Sequence, residues 1–153
     1  METYYSPEGN AEVWAARPPG YMPEADYLAL NPPPQLSFED LLQNKLKKVQ
    51  MARRQKQYGG FDVEGTKYDS DTVAQLAYTK LEAHLKENPA YTVRWKASDG
   101  VWVDMDATLF AKVTTAEKAH IALCFAWQEA KEIELKGCGT PAELDNVSIL
   151  FGE

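Results

Sequence analysis

Seven of the nine prolines fall within the first 35 residues, and no other feature limits so strongly what this chain can fold into. Each proline fixes its own φ, removes a backbone donor and pushes the preceding residue towards extended backbone, so a long helix is excluded there. Tyr4, Tyr5, Trp14, Tyr21 and Tyr27 stand between these prolines. The pattern predicts an extended Pro/Tyr-rich arm over residues 1–35. Its one local element is a small hairpin pairing Tyr4-Tyr5 with Glu12–Ala15 across Ser6-Pro7-Glu8-Gly9-Asn10, and Pro32-Pro33-Pro34 forms a stiff polyproline spacer. A core domain over 36–153 follows.

Beyond the spacer the hydrophobic period changes. Ser37 offers an N-cap with Asp40 three residues on, and Phe38, Leu41, Leu42, Leu46 and Val49 recur at helical spacing, predicting a helix over 38–57 that Gly59-Gly60 ends. Phe61 to Tyr68 alternates about Glu64-Gly65, as a short hairpin does. Val73, Leu76, Ala77, Leu81 and Leu85 then trace a helical face over 71–87, closed by Asn88-Pro89. A second hairpin runs from Tyr91 to Lys96, turns at Ser98-Asp99-Gly100 and returns along Val101–Val103. The longest helix spans 107–136. Its stripe is Leu109, Val113, Ala116, His120, Leu123, Trp127 and Ala130, widened by Phe110, Ile121, Phe125 and Ile133, and Gly137 and Gly139 stop it. Thr140, Pro141 and Glu143 supply the N-cap, N1 and capping-box positions of a last short helix. The expected class is therefore α+β, with three main helices and two short β-hairpins between them in the order helix-hairpin-helix-hairpin-helix. The two hairpin-to-helix passages also match at an offset of 35, Gly65, Asp69 and Asp71 aligning with Gly100, Asp104 and Asp106, as in a duplicated unit.

Charge narrows the function classes. Residues 41–60 hold six Lys or Arg and no acid, residues 1–40 hold seven acids against Arg17, and the net charge is −7. An acidic chain with one basic helix repels phosphate backbones, so nucleic acid is not an expected partner. The cations lie in the later turns of that helix, where they complement its dipole. No apolar run reaches the roughly 18 residues that a membrane span needs, and a soluble, cytoplasmic chain with reduced Cys124 and Cys138 is the expectation.

Catalytic patterns are sparse. The pairs Asp69/Asp71 and Asp104/Asp106 stand where a strand hands over to a helix, which suits N-caps better than a cation site. His84 and His120 have no Cys or His at ligand spacing. Phosphate loops, dinucleotide fingerprints, nucleophile elbows and His-Glu-x-x-His are absent. No catalytic residue, cofactor or metal is therefore expected, and the chain is read as a non-enzyme. The aromatics of the arm, Tyr4, Tyr5, Trp14, Tyr21 and Tyr27, are the candidate partner-binding residues.

The segment from Phe38 to Ile149 resembles a domain of unknown function found in tailed-phage and prophage proteins beside tail-fibre genes. The resemblance rests on Gly60-Phe61-x-Val63-x-Gly65 leading to Asp69-Ser70-Asp71, on Arg94-Trp95-Lys96 with Asp99-Gly100, on His120, and on Thr140-x-x-Glu143-Leu144. The opening Tyr4-Tyr5-Ser6-Pro7-Glu8 is similar to the start of tail-fibre assembly proteins. This implies a chaperone-like assembly protein that binds a phage tail-fibre protein in the host cytoplasm. The alternative it implies is a structural tail or fibre-tip component retained in the virion tail and contacting host glycan. A homodimer along the 107–136 stripe is a further expectation.

Overall fold

The computed structural model describes residues 1–32 and 35–151, so Pro33 and Pro34 of the expected spacer lie outside the described residues. The chain divides into two compact units, Met1–Ser37 and Phe38–Glu153.

The first unit is folded where an extended arm is predicted. Strands β1 (Glu2–Tyr5), β2 (Ala11–Trp14) and β3 (Met22–Pro23) form an antiparallel sheet in the order β2-β1-β3. The β1–β2 hairpin falls where the sequence places it. Its turn is closed by Ser6 N to Asn10 O at 3.0 Å and Gly9 N to Ser6 O at 2.9 Å, with Gly9 at φ +85°. The third strand and the helix α1 (Glu24–Leu30) are additions to the expectation. Their physical licence lies in proline placement. Residues 24–31 are proline-free, Pro23 at φ −56° leads directly into the first turn, and Glu24 and Asp26 meet the positive end of the dipole. Asn31 ends the helix, its backbone N–H reaching Tyr27 O at 2.8 Å.

A proline inside a strand is tolerated only where no ladder donor is needed. Bonded and non-bonded pairs alternate along an antiparallel ladder, and Ser6 N bonds Asn10 O, so in the β1–β2 register Tyr4↔Glu12 and Glu2↔Trp14 are the bonded pairs. Tyr4 therefore turns its backbone groups towards β2. Pro23 lies opposite Tyr4 on the other side, where its missing N–H costs nothing.

The second unit is a helix-rich α+β arrangement. Its main elements are α2 (Phe38–Gln57), the hairpin β4 (Phe61–Val63) and β5 (Thr66–Tyr68), α3 (Thr72–Glu87), the hairpin β6 (Val93–Lys96) and β7 (Trp102–Met105), α4 (Ala107–Lys136) and α5 (Pro141–Asn146). The first hairpin turns at Glu64 (φ 51°) and Gly65 (φ 83°), the two positive-φ residues of a type I′ turn. The second turns at Ser98–Gly100, closed by Ala97 N to Val101 O at 2.8 Å and Gly100 N to Ala97 O at 2.9 Å. Asp71 and Asp106 cap α3 and α4, accepting from Ala74 N and Leu109 N, each at 2.8 Å. Thr140 and Glu143 complete the predicted capping box of α5.

Two apolar clusters form inside this unit. One joins Phe61, Val63, Tyr68, Tyr78, Leu81, Leu85, Met105, Phe110 and Val113. The other joins Val49, Leu135, Leu144 and Val147, flanked by Leu42, Leu46 and Trp127. Each fully buried aliphatic contributes about 1.5–3 kcal/mol.

Helix faces differ from expectation at three places. In α3 the inward residues are Ala74, Tyr78, Leu81 and Leu85, while Val73 and Leu76 are exposed. Stepping back from Leu81 by one helical turn reaches Tyr78, which stacks on Trp95 at 5.2 Å. In α2 the inward face outlasts its apolar residues, so Arg53 and Gln57 are buried beside Val49 and Arg53 is not one of the solvated cations. In α4 the buried residues are Phe110, Val113, Glu117, Cys124 and Leu135, while Leu123, Phe125 and Ile133 are exposed. The expected stripe from Leu109 to Ala130 repeats every seven residues, and an undistorted helix drifts about 20° per heptad away from such a repeat. Seven true turns take about 25 residues, which is the walk from Phe110 to Leu135.

Candidate functional site

The five aromatics predicted to meet a partner all lie in the first unit, but they do not form one surface. Neighbours along a strand point to opposite faces and cross-strand partners share one. Tyr4 therefore shares a face with Trp14, and Tyr5 lies on the other. On that other face Tyr5 stacks on Tyr27 of α1, ring centroids 4.0 Å apart and planes 2° from parallel. Trp14 meets Tyr21 edge-on at 6.4 Å.

Glu12 ties the Trp14 side together. Its carboxylate accepts from Trp14 Nε1 at 3.1 Å and from Tyr21 Oη at 3.2 Å, while Arg17 Nε donates to Tyr21 O at 2.6 Å. Partial burial and the Glu12 carboxylate push the Tyr21 phenol above the ordinary tyrosine value. Tyr4 is only 7% exposed and donates to Glu2 Oε2 at 3.0 Å, which raises its phenol as well. Tyr4 therefore offers little surface of its own, unlike the half-exposed Trp14. Trp14 is 45% exposed and Val13 63% exposed. Val13, read from sequence as a strand residue, is not among the candidate partner-binding residues there; the signal that finds it is the alternation Ala11-Glu12-Val13-Trp14 on a strand with a neighbour on one side only.

That strand is the chemical feature of the site. Among the described residues β2 pairs with β1 alone. Because Tyr4↔Glu12 and Glu2↔Trp14 are the bonded pairs, the backbone N–H and C=O of Ala11 and Val13 point away from the sheet. An open row of this kind is a template for a further strand, with Val13 and Trp14 supplying apolar grip on its two faces.

The other residues singled out by sequence have structural positions. His120 lies beside the end of α2, its Nε2 at 3.1 Å from Lys56 O and 3.3 Å from Gln57 O. Ser70 Oγ donates to the same Gln57 carbonyl and accepts from Gly60 N. The last carbonyls of α2 are thus satisfied by side chains from α4 and from the loop before α3. Cys124 is buried, and burial raises its thiol above the ordinary range. His84 is exposed and meets Tyr91 edge-on at 4.2 Å. Among the described residues no three His, Cys, Asp or Glu side chains are placed to hold a metal ion, and no helix is long and apolar enough to cross a membrane.

Residues 40–148 match the family model described as a domain of unknown function, DUF4376. The chain belongs to this family. No curated protein and no solved structure matches it. The DUF4376 match falls wholly within the second unit, so Trp14, Val13 and the open edge of β2 lie in a segment outside it. Asp71 and Asp106, which cap α3 and α4, and His120 and Ser70, which close α2, are all inside the DUF4376 segment.

Proposed function

We propose that this chain is a phage tail-fibre assembly protein that works by protein–protein contact and catalyses no reaction. In this reading a strand of the unassembled fibre adds to β2, and Trp14, Tyr21 and the Tyr5–Tyr27 pair bracket it. One observation carries the proposal: β2 presents outward-facing backbone groups at Ala11 and Val13 beside two exposed apolar side chains. A fibre that has not yet trimerised exposes unpaired strands and apolar surface, the chemistry that such an edge satisfies. The resemblance of the opening residues to tail-fibre assembly proteins supplies the partner class. The host cytoplasm is the compartment this reading implies. A second copy of the chain is the further proposed partner, along the exposed Leu123 and Ile133 of α4.

The test is co-expression with the tail-fibre chain followed by pull-down of wild type, Val13→Pro and a form lacking residues 1–35. Proline at 13 removes an outward N–H without touching the β1–β2 ladder. Capture by wild type that is lost in both variants supports strand addition. Capture retained by Val13→Pro refutes the edge, and no capture by wild type refutes the fibre partner. Recovery of the chain in finished particles favours the retained tail-component reading.

A further inference from the structure

A cavity of about 230 Å³ lies between α3 and α4 of the second unit, lined by Gln75, Tyr78, Thr79, Thr114, Glu117 and Ile121 with Glu82 and Lys118 at its wall. Glu117 is 8% exposed. Burial raises its carboxyl above the ordinary glutamate value, opposed only by the charge of neighbouring Lys118. Lys118 makes no ion pair with it; the five ion pairs among the described residues leave Glu117 out, and among those residues it takes part in no hydrogen bond. An unpaired carboxylate on a side chain this covered is partly desolvated, which costs stability.

Most of the other polar walls direct their protons elsewhere. Thr79 Oγ1 donates to Gln75 O at 2.9 Å, and Thr114 Oγ1 donates to its own helix at Phe110 O, 3.0 Å. Tyr78 Oη donates to Asp69 O at 2.9 Å, and Gln75 Nε2 donates to Ser70 O at 2.9 Å. What remains on the three hydroxyls is acceptor capacity, while Gln75 keeps its carbonyl and one N–H. Glu82 adds a second carboxylate, shared with Lys86 at 3.0 Å. The cavity is thus lined mainly by acceptors, with Ile121 and the cationic Lys118 among its walls, and is smaller than the 300–1,000 Å³ usual for drug-sized ligands.

We propose that this cavity is a binding site for a guanidinium group, with Glu117 as its charged anchor. A planar cation with several N–H donors satisfies many acceptors at once and pairs with a carboxylate through two of them. The site is separate in sequence and chemistry from the β2 edge and does not depend on it. A metal ion is a poor occupant, since no three ligating side chains converge there. The guanidinium can be an arginine side chain of a polypeptide or a free guanidino compound.

The test is a titration of the full chain with N-acetyl-arginine amide, followed by backbone amide shifts in an NMR spectrum. N-acetyl-citrulline amide, neutral and nearly isosteric, is the control, and Glu117→Gln is the variant. Saturable shifts at Thr79, Thr114 and Ile121 are expected with the arginine compound, weakened roughly tenfold or more by either change, the scale of one lost charged hydrogen bond. Equal binding of the citrulline compound, undiminished binding by Glu117→Gln, or no saturable shift with wild type overturns the proposal. A short arginine-containing peptide that binds more tightly than the amide assigns the site to a polypeptide; equal affinity assigns it to a free guanidino compound.

Discussion

Replacing Ser70 by alanine tests how the end of α2 is held. The side chain is fully buried, donating to Gln57 O and accepting from Gly60 N at 3.0 Å. Gly60 has no latitude to move, because it sits at φ +85° and its Cα faces Tyr68 O closely enough that a Cβ would come within 2.7 Å. Loss of the hydroxyl leaves Gln57 O with His120 Nε2 at 3.3 Å, so that half costs an ordinary net hydrogen bond, about 1 kcal/mol. Gly60 N loses its acceptor in a half-buried place, which costs about 1–2 kcal/mol more. The expected total is about 2–3 kcal/mol. In urea, followed by far-ultraviolet circular dichroism, the midpoint falls by roughly 1 M or more with the slope unchanged. Ser98→Ala is the control, since its hydroxyl also donates to a carbonyl, Lys67 O at 2.8 Å, but is exposed; its effect should stay within about 0.5 kcal/mol. A Ser70→Ala loss no larger than that of Ser98→Ala would falsify the account of this helix end.

Asp71→Ala and Asp106→Ala should each cost about 1 kcal/mol by urea unfolding, and the double variant should lose the sum, because the two caps serve different helices. For Glu117 the folded protein holds the carboxyl above its unfolded value, so its stabilising contribution is complete below the unfolded value and disappears as pH rises through the raised one. Glu117→Gln should therefore match wild type in acid and exceed it in thermal midpoint at neutral pH; a constant difference across pH refutes the assignment. Leu123→Glu with Ile133→Glu should leave circular dichroism unchanged and abolish any concentration-dependent increase in sedimentation coefficient, whereas a wild type that sediments as a monomer throughout removes the second copy as a partner. Tyr4→Ala should unfold the first unit's sheet by removing its buried ring, at roughly 3–5 kcal/mol, while Trp14→Ala leaves the strand signals of that unit in place.

The helices were legible because their ends carry explicit chemistry. Asp71, Asp106, Thr140-Pro141 and the paired glycines after Gln57 and Lys136 announce starts and stops, and the observed bounds Phe38–Gln57 and Ala107–Lys136 follow them. The faces were less legible, because polar residues occupy inward positions. Arg53 is read from sequence as one of a basic run, yet it lies under cover, bonding Gln128 Oε1 at 2.8 Å and lying 4.7 Å over the ring of Phe125. Glu117 interrupts the true stripe of α4, so a seven-residue walk through Leu123 looked better than the real one. In the first unit the prolines dominated the reading. What they conceal is that Pro23 occupies a position that needs no donor and that eight residues free of proline suffice for two turns of helix. The same strand alternation that accommodates Pro23 also separates Tyr4 from Tyr5, which no count of aromatics can do. The cavity beside Glu117 has no signature in sequence, because its character depends on where Thr79, Thr114, Tyr78 and Gln75 direct their protons.

The position of Pro23 also governs stoichiometry. β3 is two residues long and ends in a residue without a donor, so the sheet is blunt on that side and can lengthen only beyond β2. A growing sheet with one live side accepts a single guest and then stops, since the far side offers no matching row for the next molecule to join. Any complex built this way is held to one guest strand per chain, and the exposed aromatics can stay near an open edge without the chain polymerising on itself.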